Sequence, residues 1–387
     1  MNVVRLNRTS RILAGHLWVF SNELATSPKN FEPGSLVELI DRKEQFLGIG
    51  YINPHSLIAI RILTRDKEEI TPEFFSKRIL RAVEYRRGFL SDRDSFRVVF
   101  SEGDFLPGLI VDKYGDCLVA QFLTAGIEKW REAILDILEK IFSPSVVVLR
   151  NDSATRLLEG LPQEKSVVRG TLKALPIIRE ASLRFEVDPL SGQKTGFFLD
   201  QRENREAFKV LVRGGKGLDL FCYSGAWSIY LADKGAEITG VDESEYAVNQ
   251  SRRNAAINGL AGKCTFKAAE VFAFVKEEVS CGNLYDFIVL DPPAFVKSRT
   301  KVREAMKAYR MVNAYAMRLL NKGGFLATSS CSYHVDKASF VDMLRTAARD
   351  VGRQARIIEM RSQGKDHPVL LSMQETEYLK CAFLIIE

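Results

Sequence analysis

The chain has 387 residues, 46% hydrophobic and 27% charged, the make-up of a soluble globular protein with length for two or three domains. Lys and Arg number 55 against 49 Asp and Glu, a net charge of +6, which permits a nucleic-acid partner without demanding one. No apolar run is long enough to cross a bilayer. The first residues, MNVVRLNRTSRILAGHLWVF, lack the apolar core and small-residue end of a signal peptide, so a cytoplasmic protein is expected. The cysteines, Cys117, Cys222, Cys264, Cys281, Cys331 and Cys381, are scattered without CxxC or Cys/His ligand spacing. That argues for free thiols in a reducing compartment and against a metal site.

Residues 1–70 read as a small β domain. Strand-like runs at Ser35–Ile40, Phe46–Tyr51 and Leu57–Leu63 are punctuated by Pro33-Gly34, Asp41-Arg42-Lys43 and Asn53-Pro54. Arg5, Arg8 and Arg11 precede His16, Trp18 and Phe20. They read either as a solvated arm with Trp18 in the core or as a phosphate and base contact surface. Residues 71–180 read as a small α/β middle domain. Thr71-Pro72-Glu73 opens a helix carrying Lys77, Arg78, Arg81, Arg86 and Arg87, whose charged face reads as solvated. Strands are expected at Phe96–Phe100, Gly108–Asp112, Cys117–Phe122 and Val146–Arg150, with one helix over Ile127–Phe142.

From residue 181 to 387 the pattern changes. A hairpin through Leu183–Val187 and the stretch GQKTGFFLDQRENR precede a regular alternation. Strands are expected at Lys216–Phe221, Glu237–Val241, Cys264–Ala268, Asp286–Leu290, Phe325–Ser330, Arg356–Met360 and Leu379–Ile386. Helices are expected at Ala226–Lys234, Tyr246–Asn258, Glu304–Leu320 and Lys337–Val351. Such alternation predicts a doubly wound, largely parallel sheet.

Chemistry collects at the carboxyl ends of those strands, where open α/β sheets bind ligands. Asp219 and Phe221 end the first strand, and Tyr223-Ser224-Gly225 form a small-residue turn into a helix. Asp242 lies roughly 20 residues on, where a carboxylate takes ribose hydroxyls or caps a helix. Glu270 could meet an adenine amino group or sit at a helix N-terminus. These features suit an adenosine-bearing cofactor, NAD or S-adenosylmethionine. The run Asp291-Pro292-Pro293-Ala294-Phe295 chooses the second: a rigid acceptor with an aromatic neighbour can hold a planar base beside the cofactor crevice. Lys297, Arg299, Lys301, Arg303, Lys307 and Arg310 follow, a run suited to phosphates or to a solvated helix face. Cys331, in SSCSYH at the end of the fifth strand, would share the crevice with Asp291 and reads as a nucleophile or as inert packing, and His334 could tune it or only hydrogen-bond locally.

HLWVFSNEL, FLGIGYINPHSLIAIRIL, GQKTGFFLDQRENR, LDLFCYSGAW, DPPAFVKS and SCSYHV together resemble the bacterial 23S rRNA large-subunit methyltransferase I type, nearly end to end. The resemblance implies an α/β protein with a PUA-like RNA-binding domain and a small α/β domain. A class I (Rossmann-like) methyltransferase domain follows, with a seven-stranded, mostly parallel sheet. It implies S-adenosylmethionine as cofactor and 23S rRNA as partner, with no membrane or metal and with a homodimer allowed. The implied reaction is cytosine-C5 methylation with Cys331 as nucleophile and Asp291 as second catalytic group. Thr195, Phe197, Asp200, Arg202, Asp219, Phe221, Tyr223, Ser224, Gly225, Asp242, Glu270 and Asp291 are implied to line the donor site. Glu270 departs from the usual aspartate, and Pro293-Ala294 offers no second cysteine, so the C5-proton base is unnamed. The competing readings are methylation of a base nitrogen and an RNA-binding assembly factor with a vestigial donor pocket. An NAD dehydrogenase lacks its glycine fingerprint here.

Overall fold

The structure, a computed structural model, describes residues 1–90, 93–295 and 302–387. They divide into two compact units. The first comprises Met1–Ile178, Val187–Leu199 and Lys365–Thr376; the second comprises Arg179–Glu186, Asp200–Gly364 and Glu377–Glu387.

The first unit holds two five-stranded sheets. Strands β1 (Asn2–Arg5), β2 (Trp18–Val19), β3 (Ser35–Ile40), β4 (Phe46–Ile52) and β5 (Ile60–Thr64) are ordered β1-β3-β4-β5-β2. Strands β6 (Ser95–Phe100), β7 (Leu109–Tyr114), β8 (Cys117–Phe122), β9 (Val146–Asn151) and β10 (Glu164–Gly170) are ordered β10-β9-β8-β7-β6. The helix Pro72–Leu90 packs Phe74, Phe75 and Ile79 into a core shared by Tyr51, Val99, Leu109, Leu118 and Leu138.

Two expectations change here. The helix read over Ile127–Phe142 is two, Ala125–Glu128 and Arg131–Phe142. Thr124 Oγ1 caps the first through Ile127 N at 3.5 Å, and the break lets Trp130 lie 4.8 Å from the Phe75 ring. Arg86, read on a solvated face, is 1% exposed. It makes a bidentate pair with Asp104 at 2.9 and 2.8 Å and donates to Asp366 O at 2.7 Å. Lys77, Arg81 and Arg87 are exposed as expected.

The second unit is the alternating α/β region. A hairpin, β11 (Ile177–Glu180) and β12 (Leu183–Glu186), leads into it. Then come β13 (Lys216–Leu220), β14 (Glu237–Asp242), β15 (Cys264–Ala268), β16 (Tyr285–Leu290), β17 (Leu320–Ser330), β18 (Ala355–Arg361) and β19 (Lys380–Ile386). Their order is β15-β14-β13-β16-β17-β19-β18. Neighbours from β15 to β17 are parallel, and β19 runs antiparallel to both β17 and β18. The seven-stranded, mostly parallel sheet is the one expected.

Alternation along each strand sorts the two faces. Leu218, Leu220, Ile288, Leu290, Leu384 and Ile386 enter one core with Tyr309, Val312 and Phe340. Phe287, Val289, Cys381 and Phe383 enter the other with Phe208, Trp227 and Leu231. After β13 the chain adds β14 and β15 on one side, then crosses to add β16 on the other. This leaves a crevice at the carboxyl ends of β13 and β16.

Candidate active site

The crevice begins at the turn after β13. Phe221, Tyr223 and Gly225 have φ of +63°, +47° and +78°. Left-handed backbone at a non-glycine residue costs ~1–3 kcal/mol unless neighbours hold it. The neighbours do: Cys222 N donates to Val241 O at 3.0 Å and Gly225 N to Cys222 O at 2.9 Å. Gly225 also permits close packing, since a Cβ there would lie 2.8 Å from Ser251 Cβ.

Asp242 fixes the same turn from the next strand. Its Oδ2 accepts from Tyr223 N at 2.9 Å and its Oδ1 from Ser244 N at 3.0 Å. The helix cap is Ser244, whose Oγ accepts from Ala247 N at 3.3 Å, so Asp242 faces the turn rather than serving as the cap. Asp219 is fully buried. Its Oδ2 accepts from Ser228 N at 3.0 Å and Ser228 Oγ at 2.6 Å, and its Oδ1 has no partner among the described residues. Burial pushes its carboxyl up to about 7, and Asp291 and Asp242 add to the rise.

Asp291 follows β16. Gln201 Nε2 donates to its Oδ1 at 2.9 Å and Trp227 Nε1 to its Oδ2 at 3.1 Å. Gln201 Nε2 also reaches Ser329 Oγ at 3.1 Å, joining the ends of β16 and β17. Neither Gln201 nor Trp227 was singled out by sequence reasoning, although both sit within the motifs that carried the resemblance.

The other expected donor-site residues take different places. Asp200 Oδ2 accepts from Tyr378 O–H at 2.5 Å. Arg202 is buried, its Nε donating to Glu180 Oε1 at 3.0 Å. Glu270 is exposed and caps the helix Val271–Ser280, its carboxylate accepting from Phe272 N at 3.0 Å and Ala273 N at 2.6 Å. Thr195 and Phe197 belong to the first unit. There Thr195 Oγ1 donates to Asp112 Oδ2 at 2.5 Å, and the Tyr114 hydroxyl lies 3.0 Å from Thr195 Oγ1 and 3.3 Å from Phe197 O.

Cys331 is half-buried directly after β17. The Tyr309 hydroxyl ties its turn to the proline loop, lying 2.8 Å from Ser332 Oγ and 3.4 Å from Pro293 O. Phe295 stacks obliquely 4.6 Å from Tyr309 and contacts Phe221 and Phe272 at 6.0 and 5.9 Å. Aromatic surface thus lies between the donor turn and the cysteine. Burial raises the Cys222 thiol far above its ordinary value and pushes those of Cys117, Cys264 and Cys381 up to about 12. His334 is exposed against Tyr333. Lys297, Arg299 and Lys301 lie outside the described residues; Arg310 pairs with Asp350 at the far end of the next helix. No metal-binding cluster occurs among the described residues, and no described helix is long and apolar enough to cross a membrane.

Residues 3–65 match the family model of a PUA-like domain, and residues 147–360 match that of an S-adenosylmethionine-dependent methyltransferase. The ribosomal RNA large subunit methyltransferase I of Shewanella amazonensis is 38% identical over 371 residues, covering 94% of each chain. The chain belongs to the ribosomal RNA large subunit methyltransferase I family. The Aeromonas hydrophila member is 36% identical over 380 residues, 96% of each chain. A Streptococcus mutans protein described as a SAM-dependent methyltransferase superposes with a TM-score of 0.86 at 20% identity, over 100% of both chains. SMU.776, solved in complex with SAH, gives 0.86 at 19% identity over 99% of both.

Membership in the methyltransferase I family makes S-adenosylmethionine the cofactor, and the second unit has its class I fold. The donor set fits that cofactor. Asp219, Asp242 and Asp291 crowd carboxylates at the strand ends, where positive charge and hydroxyl donors are needed. A ligand carrying a sulfonium, an ammonium and ribose hydroxyls meets that need.

Proposed function

We propose that the protein methylates C5 of a cytosine in 23S rRNA through a covalent bond between Cys331 Sγ and C6 of the base. The observation that carries the reading is the half-buried Cys331 turn, linked through Tyr309 to the Asp291-Pro292-Pro293 loop, in a chain whose relatives are named for large-subunit ribosomal RNA. S-adenosylmethionine, when bound, supplies an electrophilic methyl group on its sulfonium sulfur. Asp242 takes its ribose hydroxyls, and Asp219, Asp291 and the Phe221–Gly225 turn enclose the remainder. Asp200 and Arg202 flank Gln201, whose amide holds Asp291, and Glu270 caps the helix that follows β15.

C5 of cytosine is a weak nucleophile. Attack of the Cys331 thiolate on C6 forms the S–C6 bond and moves the C5–C6 π pair onto C5, which can then accept the methyl group. Loss of the C5 proton to a base restores the double bond and expels the thiolate. Asp291 accepts from the cytosine amino group, and the Phe295 ring supports the base plane. The base must be unstacked for this geometry. We assign residues 1–70 to RNA binding, 71–180 to a middle domain and 181–387 to methyl transfer, in a cytoplasmic enzyme. The match over 3–65 supports the first assignment, and the methyltransferase match over 147–360 covers most of the third and begins within the second.

The test is Cys331→Ala assayed on rRNA from a strain lacking the enzyme, with nucleoside mass spectrometry of the product. The expected result is 5-methylcytosine with the native chain and at least a thousandfold slower methylation with the variant (~4 kcal/mol). Methylation at the normal rate by the variant, or a methylated guanine or adenine as product, would overturn the reading in favour of a base nitrogen. Acid-Pro-Pro-aromatic loops such as Asp291–Phe295 also serve that chemistry.

A further inference from the structure

β19 lies antiparallel beside β17, and its first residue, Lys380, pairs with Ser330, the residue before Cys331. Lys380 is 6% exposed. A buried ammonium needs acceptors, and Nζ finds them in Ser332 O at 2.7 Å and Tyr378 O at 2.9 Å. Ser332 is the residue after Cys331. The lysine therefore holds the turn on both sides of the thiol, by its backbone at Ser330 and its side chain at Ser332. Its hydrogen-bond partners are neutral carbonyls. A cation hydrogen-bonded to carbonyls keeps its charge available to a nearby anion, whereas a direct carboxylate pair would neutralise it.

We propose that Lys380 is the positioning residue for Cys331: its buried ammonium clamps the Ser330–Ser332 turn and stabilises the thiolate. Lys380 acts through the thiol and touches neither base nor cofactor in this account. Its catalytic meaning rests on the reading of Cys331 as nucleophile.

The electrostatic surroundings agree. Burial pushes the Lys380 amine down to about 8, and among the charged groups opposing that fall Cys331 is the largest, ahead of Glu377 and Asp336. The charge that matters is thus present at neutral pH and lost as pH climbs through about 8. Tyr309, from the helix Val302–Arg318, has its phenol raised by burial and stays neutral. Asp336 caps the helix Lys337–Asp350, and its hydrogen bonds from Ser339 hold its carboxyl low. Glu377 lies on the segment leading into β19.

The experiment is alkylation of the full chain with iodoacetamide across a pH series, read peptide by peptide, with exposed Cys281 as internal reference. In the native chain Cys331 should react with a midpoint below that of an ordinary thiol. In Lys380→Met the midpoint should rise by about one pH unit, making Cys331 about tenfold slower at pH 7, with Cys281 unchanged. Lys380→Arg should retain the native midpoint. Lys380→Gln, which keeps donors without the charge, gives the same reading if the methionine variant does not fold. An identical Cys331 midpoint in the native, uncharged and arginine chains would overturn the proposal. Alkylation needs no RNA, so this outcome is separable from the C5 reading. Cys331→Ala retaining methylation would sink that reading and leave the Lys380 shift to be measured.

Discussion

At the scale of single residues, the site is held by carboxylates that accept from backbone, amide, ring and hydroxyl donors. Asp219 makes this measurable. Its carboxyl is raised from the usual 3.8 to about 7 by burial, so the folded chain keeps a proton that the unfolded chain has lost. The stability this contributes is complete below pH ~4 and disappears as pH rises through ~7, at about 1.4 kcal/mol per pH unit between. Asp219→Asn keeps an acceptor for Ser228 and removes the titration. Urea midpoints should therefore fall between pH 5 and 7 in the native chain relative to the variant, and parallel pH profiles would contradict the raised carboxyl. Asp242→Ala frees Tyr223 N and Ser244 N together. Calorimetry should show S-adenosylmethionine affinity lowered at least tenfold, since each hydrogen bond to a charged group is worth ~1.5–3 kcal/mol. The strand-end acids were legible because acids at those spacings stand out in sequence. Glu270 was ambiguous for the reason its geometry displays: the acceptor that could meet an adenine also suits two helix N–H groups.

Among elements, the buried polar helix was the least legible. Arg202–Leu211 buries Arg202, Asn204, Arg205 and Phe208, a face that reads as solvent-exposed in REN-REAF. Glu180, on the hairpin before it, resolves the conflict. It accepts from Arg202 at 3.0 Å, from Arg205 at 2.8 and 2.7 Å and from Tyr230 O–H at 3.1 Å. Burial alone would raise its pKa, but the two guanidiniums outweigh it and hold the carboxyl below the usual range. Glu180→Gln leaves two buried cations without their counter-charge and should cost ~3–5 kcal/mol, read as a lowered thermal midpoint; a change under 1 kcal/mol would contradict the network. The helix Val271–Ser280 escaped notice for another reason: VFAFV is a short apolar run that periodicity cannot tell from a strand. The helix–strand alternation itself was legible because caps and glycines punctuate it. Gly235 and Gly259, which follow helices, have the left-handed backbone that such stops require.

For the whole molecule, sequence pattern anticipated the seven-stranded sheet because its central strands are nearly continuous apolar runs, as burial on both faces demands. The bridges that shape the site were hidden, since Gln201, Trp227, Tyr309 and Lys380 come from four distant stretches and meet only in the fold. Cofactor chemistry follows from family membership, whereas the C5 target depends on Cys331. The most direct measurement uses rRNA carrying 5-fluorocytosine, whose fluorine cannot leave as a proton does. Incubated with S-adenosylmethionine, the chain should form a denaturant-stable RNA adduct, and peptide mass spectrometry should locate it at Cys331. Efficient methylation of ordinary rRNA with no adduct on the fluorinated RNA, or an adduct at another residue, would contradict the account.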